Sequence, residues 1–305
     1  MYHRLLSFLK KFNILADEQN GFRDNKSTET ACHTFIENIQ QSLDNNLHVV
    51  GIFIDLTKAH DVINHDSLFY KIQSYGVRGI LNSWFQYYLL QCKQYVSITQ
   101  SDGNTVMLNR YSSSFRVNLH GVPQDSILGP LMFLLYINDL PWIFQGGNIV
   151  LYADDTNIIV VDKEEETLQH KITYVMQQSE LWFCKNDLTV NIDKTCAISF
   201  TPTKRDTLVD LTLYLITMKS HSSELKFLGL FIMENLTWHV QIHSLCASLS
   251  KIYDMIKSLR NVTSTQMIWS IYFAYFQSRL RYGIMFWGGE GESVKIFRLQ
   301  RKVIN

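Results

Sequence analysis

Prolines are scarce in this chain, only 4 in 305 residues, so little interrupts long helical segments. Cysteines are few and scattered: the 5 are Cys32, Cys92, Cys184, Cys196 and Cys246. Their odd number and unpaired spacing exclude a disulfide framework and a zinc ribbon, and point to reduced thiols in an intracellular protein. No apolar run approaches the roughly 20 residues needed to cross a bilayer; the longest extends only from Leu131 to Ile137. Met1 to Lys11 lacks the charged, apolar and small-residue sequence of a secretory signal. Repeats and low-complexity stretches are missing, which excludes fibrous and disordered classes. Net charge is absent too, 28 basic against 28 acidic residues, so total charge argues neither for nor against a polyanionic partner. What remains is a 46% hydrophobic chain, long enough for one large domain or two unequal ones.

Within that apolar background, acids stand where acids cost most. Ile149-Val150-Leu151-Tyr152-Ala153 runs into Asp154-Asp155, and Thr156-Asn157-Ile158-Ile159-Val160-Val161 follows. The pattern predicts strand, tight turn, strand, with both carboxylates at the turn. Val49-Val50-Gly51-Ile52-Phe53-Ile54 is a second buried strand that ends on Asp55. Charge in such runs opposes burial unless compensated, and the usual compensator for clustered aspartates is a hard cation such as magnesium. Asp55 and Asp154 are the predicted metal ligands, with Asp155 a supporting carboxylate. One strand-end aspartate plus an Asp-Asp hairpin is what two-metal phosphoryl transfer requires. Strand-end turn aspartates without a metal would read the same way in isolation.

The remaining chain is read as alternating helices and strands. A helix is expected near the N-terminus, and another from near Thr28. A third should start at His65-Asp66-Ser67, with Asp66 as N-cap and Gly76 at its C-terminal end. Residues 93–119 suggest a hairpin. Helices are predicted from Ser126 to Asp139 and from Glu164 to Lys185, and a hairpin piece around Leu225 to Ile232. From Ile242, apolar residues at Leu245, Leu249, Ile252, Ile256 and Leu259 alternate spacings of three and four, an amphipathic helix. Further helices are expected from Gln266 to Arg281 and from Val294. Between Lys251 and Asn305, nine cationic side chains face three acids, a net +6 that suits a phosphate backbone or a solvated helical face.

These segments, in this order, are similar to the reverse transcriptase domain of non-long-terminal-repeat retrotransposons of the jockey-like type. Gly21-Phe22-Arg23 with Ser27-Thr28 resembles the fingers motif, and Asp55-Leu56-Thr57-Lys58-Ala59 with Asn64-His65 the first palm motif. Gly121-Val122-Pro123-Gln124 with Ser126-Ile127-Leu128-Gly129-Pro130 resembles the template-proximal loop and its helix. Tyr152-Ala153-Asp154-Asp155 resembles the catalytic hairpin, and Asn191 with Lys194-Thr195 the next palm motif. Lys226-Phe227-Leu228-Gly229 resembles the primer grip, and Tyr282-Gly283 with Trp287-Gly288 recurs in the thumb.

The resemblance implies an α+β right-hand polymerase: a fingers and palm region with an antiparallel sheet flanked by helices, plus a helical thumb. It places partial fingers in 1–48, the palm with a fingers insertion and primer grip in 49–237, and a truncated thumb in 238–305. It implies an RNA-directed DNA polymerase that adds dNTPs to a DNA primer on an RNA template, with two Mg2+ ions (Mn2+ as substitute) held by Asp55, Asp154 and Asp155. Lys194 would sit near the leaving pyrophosphate, the backbone at Leu56 near the phosphates, and Gln124 at template or incoming nucleotide. Arg23 would reach the triphosphate, and Phe227, Leu228 and Gly229 the primer. The family implies a nuclear site of action, with the cytoplasm as alternative; oligomeric state stays open.

Two positions depart from the pattern. His60 stands where the family has Phe or Tyr under the sugar, which predicts weaker exclusion of ribonucleotides. Asp125 replaces the glycine expected after Pro123-Gln124, adding a Cβ and a charge where close template approach is expected. A fingers strand before Met1 and the rest of the third thumb helix are also expected to be missing. The alternative reading is therefore a catalytically inactive, nucleic-acid-binding remnant of the same fold. A metal-dependent nuclease using the same aspartates is disfavoured by the motifs around Lys194 and Phe227.

Overall fold

A computed structural model describes residues 1–101, 108–144, 148–201 and 223–304. In chain order the helices are α1 (Tyr2–Lys11), α2 (Thr28–Asp44), α3 (His65–Ser74), α4 (Ile80–Leu90), α5 (Gly129–Ile137), α6 (Glu165–Lys185), α7 (His239–Leu259), α8 (Thr265–Ile271), α9 (Ser278–Arg281), α10 (Ile284–Trp287) and α11 (Val294–Ile304). The strands are β1 (His48–Ile54), β2 (Lys93–Gln94), β3 (Ser97–Ser101), β4 (Leu108–Ser112), β5 (Arg116–Val117), β6 (Asn148–Tyr152), β7 (Asp155–Asp162), β8 (Cys196–Phe200), β9 (Glu224–Phe227) and β10 (Leu230–Met233). This is the expected α+β class. The five cysteines are free, and among the described residues no helix is long and apolar enough to cross a membrane.

The chain folds as two units. One comprises Met1–Lys26, Phe53–Ile158 and Lys171–Thr195; the other Ser27–Ile52, Ile159–His170 and Cys196–Asn305. The main sheet has the order β6-β7-β1-β8. Its apolar strands bury Val49, Val50, Ile52, Leu151, Ile158 and Ile198, as near-continuous hydrophobic runs should when both faces are covered. β6 and β7 are sheet neighbours joined by two residues, and so short a link permits only an antiparallel pair.

In the first unit, α5 buries every residue from Leu131 to Ile137, as a helix apolar on all sides must. It begins at Gly129, later than Ser126, because Ser126 Oγ accepts the Gly129 N–H (2.9 Å) and donates to Pro123 O (2.7 Å), closing a turn ahead of the helix. The N-cap of α3 is Asn64, not Asp66. Asn64 is extended (φ −74°, ψ 121°) and its Oδ1 accepts the Ser67 N–H at 3.1 Å, leaving Asp66 in the first turn. Gly76, with φ +94°, follows the last turn as expected. Where a hairpin is expected over 93–119, the described residues form two antiparallel ribbons, β2 with β5 and β3 with β4, and 102–107 lie outside the described residues. α4 has no counterpart among the sequence expectations.

In the second unit, α2 opens with a capping box: Ser27 Oγ accepts the Thr30 N–H and Thr30 Oγ1 accepts the Ser27 N–H. The anticipated stripe of α7 is buried at Ile242, Leu245, Leu249, Ile252 and Ile256. β9 and β10 make the anticipated hairpin. Phe227 at its turn meets the Phe35 ring of α2 with centroids 4.9 Å apart. The helix expected from Gln266 to Arg281 is present but loosens into a π-helical turn over Tyr272–Gln277, where Tyr272 donates its hydroxyl to Gln277 Oε1 at 2.7 Å.

Candidate active site

The site assembles in the first unit around the end of β1. Beyond Ile54 the chain zips onto residues 189–195. The Thr57 N–H donates to Thr189 O and the Asn191 N–H to Asp55 O, both at 2.8 Å, and Leu56 bridges Val190. Thr195 Oγ1 accepts the Asp55 N–H at 3.3 Å while donating to Asn191 O. The tight turn after Asn191 presents Lys194, whose Nζ lies 3.7 Å from Asp55 Oδ2.

The β6–β7 turn supplies the other carboxylates. Ala153 is its first central residue and holds φ +53°; a positive φ at that position alone fits the type II′ turns that suit strand twist. Burial is the main cause that pushes the Asp155 carboxyl up to about 6. The Asp154 and Asp55 charges add to it, and Lys194 opposes it. Asp55, Asp154, Asp155 and Lys194 therefore share one electrostatic environment, three acids against one base. Among the described residues no three acid, imidazole or thiolate side chains already form a metal cage. Hard oxygen donors with unbalanced negative charge nevertheless fit a magnesium-type site, which takes few protein carboxylates and completes its shell with water and substrate phosphates.

The sign of the Asp155 effect is testable without metal. Its folded value lies above the ordinary 3.8, so between about pH 4 and 6 the native state holds more protons than the unfolded chain. Stability should then fall as pH rises through that window. In EDTA, the melting temperature of the wild type should drop from pH 4.5 to 6.5, and Asp155→Asn should flatten the drop. Equal slopes for both proteins would refute the assignment.

The loop after Asp55 meets the loop before α5. His60 lies against Phe133 of α5, ring centroids 4.2 Å apart; its carbonyl accepts the Val122 N–H at 2.9 Å, and the Gly121 N–H donates to Ile63 O at 2.8 Å. A Cβ on Gly121 would stand 2.6 Å from Asp61 O, so only glycine fits. Gln124 Nε2 donates to Asp61 Oδ1 at 2.7 Å, which holds its amide at this junction. Asp125 carries φ +56°, the left-handed region glycine enters freely and aspartate better than most residues.

Relief of that backbone strain and the entropy glycine loses on folding are each about 1 kcal/mol and oppose one another. Asp125→Gly should therefore change stability little. For the polymerase that the sequence resemblance implies, primer extension should rise severalfold, because the Cβ and charge are gone. Extension equal to wild type would contradict the reading.

Arg23 is engaged elsewhere: its guanidinium donates to Ala16 O at 2.5 Å and lies 4.0 Å from Asp17 Oδ1, so the structure does not bring it to the carboxylates. Phe227, Leu228 and Gly229 belong to the second unit. Leu228 (φ +45°) and Gly229 (φ +91°) form a turn with both central residues at positive φ, the type I′ pattern. The Tyr282 hydroxyl donates to Leu228 O, and a Cβ on Gly229 would press the Tyr282 ring at 3.3 Å.

Sequence reasoning missed Gln19. It is 2% exposed and spans 134 residues of chain to hydrogen-bond Ala153. Its place two residues before Gly21-Phe22-Arg23 was the available signal.

Comparison with known proteins bears on the family of the chain. The chain is 26% identical, over 94% of its length, to the probable RNA-directed DNA polymerase from transposon BS of Drosophila melanogaster. It is 26% identical, over 99% of its length, to the RNA-directed DNA polymerase from mobile element jockey of the same organism. It spans about a third of those relatives, 32% and 33% respectively. Among solved structures, telomerase from Candida albicans with a fragment of telomeric RNA is similar at TM-score 0.49 and 9% identity, covering 99% of this chain and 55% of that one. The model of the reverse transcriptase (RNA-dependent DNA polymerase) family matches residues 1–232, and the chain belongs to that family.

Proposed function

We propose that this chain is the reverse transcriptase segment of a non-long-terminal-repeat retrotransposon. In this reading it adds dNTPs to the 3′ end of a DNA primer on an RNA template. The observation that carries it is the placement of Asp55 just past the end of β1 and of Asp154 and Asp155 in the β6–β7 turn, β7 being the sheet neighbour of β1, with Lys194 Nζ 3.7 Å from Asp55 Oδ2.

Reverse transcriptases use divalent metal ions. Here Asp55 and Asp154 would hold two Mg2+ ions, or Mn2+, with Asp155 supporting. When bound, such ions lower the pKa of the primer hydroxyl and stabilise charge on the leaving pyrophosphate. The 3′ oxygen forms a bond to the α-phosphorus as the α–β bridging bond breaks. Lys194 stands beside Asp55 and serves the departing pyrophosphate as proton donor or electrostatic clamp. The Leu56 backbone flanks the phosphates. Gln124, held by Asp61, faces template or nucleotide, and His60, braced by Phe133, stands under the sugar. Arg23 reaches the triphosphate only by leaving Ala16. Phe227, Leu228 and Gly229 grip the primer. The cationic C-terminal helices form a thumb that holds duplex by its backbone. Fingers, palm and thumb follow the 1–48, 49–237 and 238–305 division, and the site of action is the nucleus.

The test is dTTP addition to oligo(dT) on poly(rA). Extension that needs divalent metal and stops with EDTA supports the proposal. Folded protein that binds primer–template without extending it is the inactive remnant instead.

A further inference from the structure

We propose that Gln19 is a positioning residue for the catalytic hairpin: a buried side-chain amide that fixes the Ala153 peptide and thereby sets where Asp154 and Asp155 stand. The inference rests on the function proposed above for those carboxylates, but the geometry that carries it does not.

Residues 18–20 run beside β6 as a short added strand. The Leu151 N–H donates to Glu18 O at 3.0 Å, and the Asn20 N–H to Leu151 O at 2.8 Å; Gln19 pairs with Leu151 in parallel. Those backbone bonds stop at Leu151, two residues short of the turn. Beyond them the Gln19 side chain takes over. Its Oε1 accepts the Gly21 N–H at 2.7 Å and the Ala153 N–H at 3.0 Å, and its Nε2 donates to Ala153 O at 3.4 Å. Both backbone groups of Ala153 are thus satisfied by one side chain, as a neighbouring strand would satisfy them.

Ala153 needs that support. Its φ of +53° is costly for a residue with a Cβ. The next two residues are the paired aspartates, so tilting the Ala153 peptide swings both carboxylates. The carboxamide accepts through Oε1 and donates through Nε2, matching the N–H and the C=O of one peptide residue. Methionine fills the same volume with neither function and leaves two buried N–H groups unpaired. Glutamate keeps the acceptor but loses the donor and brings a fourth acid to the cluster.

The decisive comparison is wild type against Gln19→Met, alone and with Ala153→Gly. In metal-free protein, amide exchange at Ala153 and Gly21 should quicken at least tenfold while exchange in α7 stays unchanged. The metal concentration for half-maximal extension should rise about tenfold, with the dNTP KM within threefold of wild type. Ala153→Gly removes the penalty on positive φ, so Gln19→Met should shift the metal midpoint less in that background, a coupling measured by the double-mutant cycle. If Gln19→Met does not fold, Gln19→Asn, an amide one methylene short, carries the same comparison at smaller amplitude. Unchanged exchange at Ala153 in a folded variant overturns the proposal. So does exchange that quickens equally in α7, which marks general loosening. If the wild type extends no primer, the polymerase reading fails, and exchange at Ala153 still decides whether Gln19 holds the turn.

Discussion

Asp55→Asn should leave a folded chain at least as stable as the wild type and cut primer extension by about 10³-fold, the scale of losing one preorganised electrostatic contact. The two effects have opposite signs for one reason. Asp55 adds to the repulsion that raises the Asp155 carboxyl, so removing its charge relieves the folded state. The ion pair lost with it involves a Lys194 side chain that is 69% exposed, and exposed pairs contribute at most about 1 kcal/mol. A residue retained for structure behaves the other way, losing stability with activity. Melting temperature and single-nucleotide extension rate, measured on one preparation, separate the cases. A less stable variant that extends primer normally would refute the catalytic assignment of Asp55.

Gly21→Ala should be among the most damaging single-methyl changes in the chain. The added Cβ would lie 2.3 Å from Ala153 N and 3.0 Å from Ala153 Cα. Both are backbone atoms of the β6–β7 turn, so the clash cannot be relieved by rotating a side chain. Overpacking of this kind costs about 1–3 kcal/mol, and the yielding element is the hairpin that carries Asp154 and Asp155. Extension should fall at least 100-fold, a larger fractional loss than the stability change alone produces. Gly289→Ala is the control: a Cβ there meets nothing within 4 Å, so extension and melting temperature should match the wild type. Equal behaviour of the two variants would show that the turn tolerates displacement.

Sequence revealed the strands and carboxylates of this site because charge placed against apolar runs is conspicuous. β1, β6 and β7 are bounded by Asp55, Asp154 and Asp155, and α7 shows its buried stripe without interruption. α4 was illegible for the opposite reason. Its buried positions are Asn82, Phe85 and Leu89, whereas Ile80, Tyr87 and Leu90 are exposed; apolar residues ring the helix, and no face can be read. The choice between Asn64 and Asp66 as cap was settled by distant partners: Asn64 bridges His120 and donates Nδ2–H to Asp187 Oδ2 at 3.0 Å, pairings that local propensity does not encode. The π-helical turn at Tyr272–Gln277 leaves the apolar spacing of its helix intact, so periodicity concealed it. Gln19 was invisible because its partners are backbone groups far along the chain. The site's acids are therefore readable from composition and spacing, and the scaffold that aims them is not.

The central claim is that the carboxylates at the end of β1 and in the β6–β7 turn run metal-dependent nucleotidyl transfer. The most direct measurement is extension of oligo(dT) on poly(rA) with magnesium and dTTP, wild type beside Asp154→Asn, Asp155→Asn, both checked for folding and primer–template binding. Robust extension by the wild type, with none above background from an equally folded and equally bound double variant, is the predicted result. Extension at the same rate by both proteins would contradict the account.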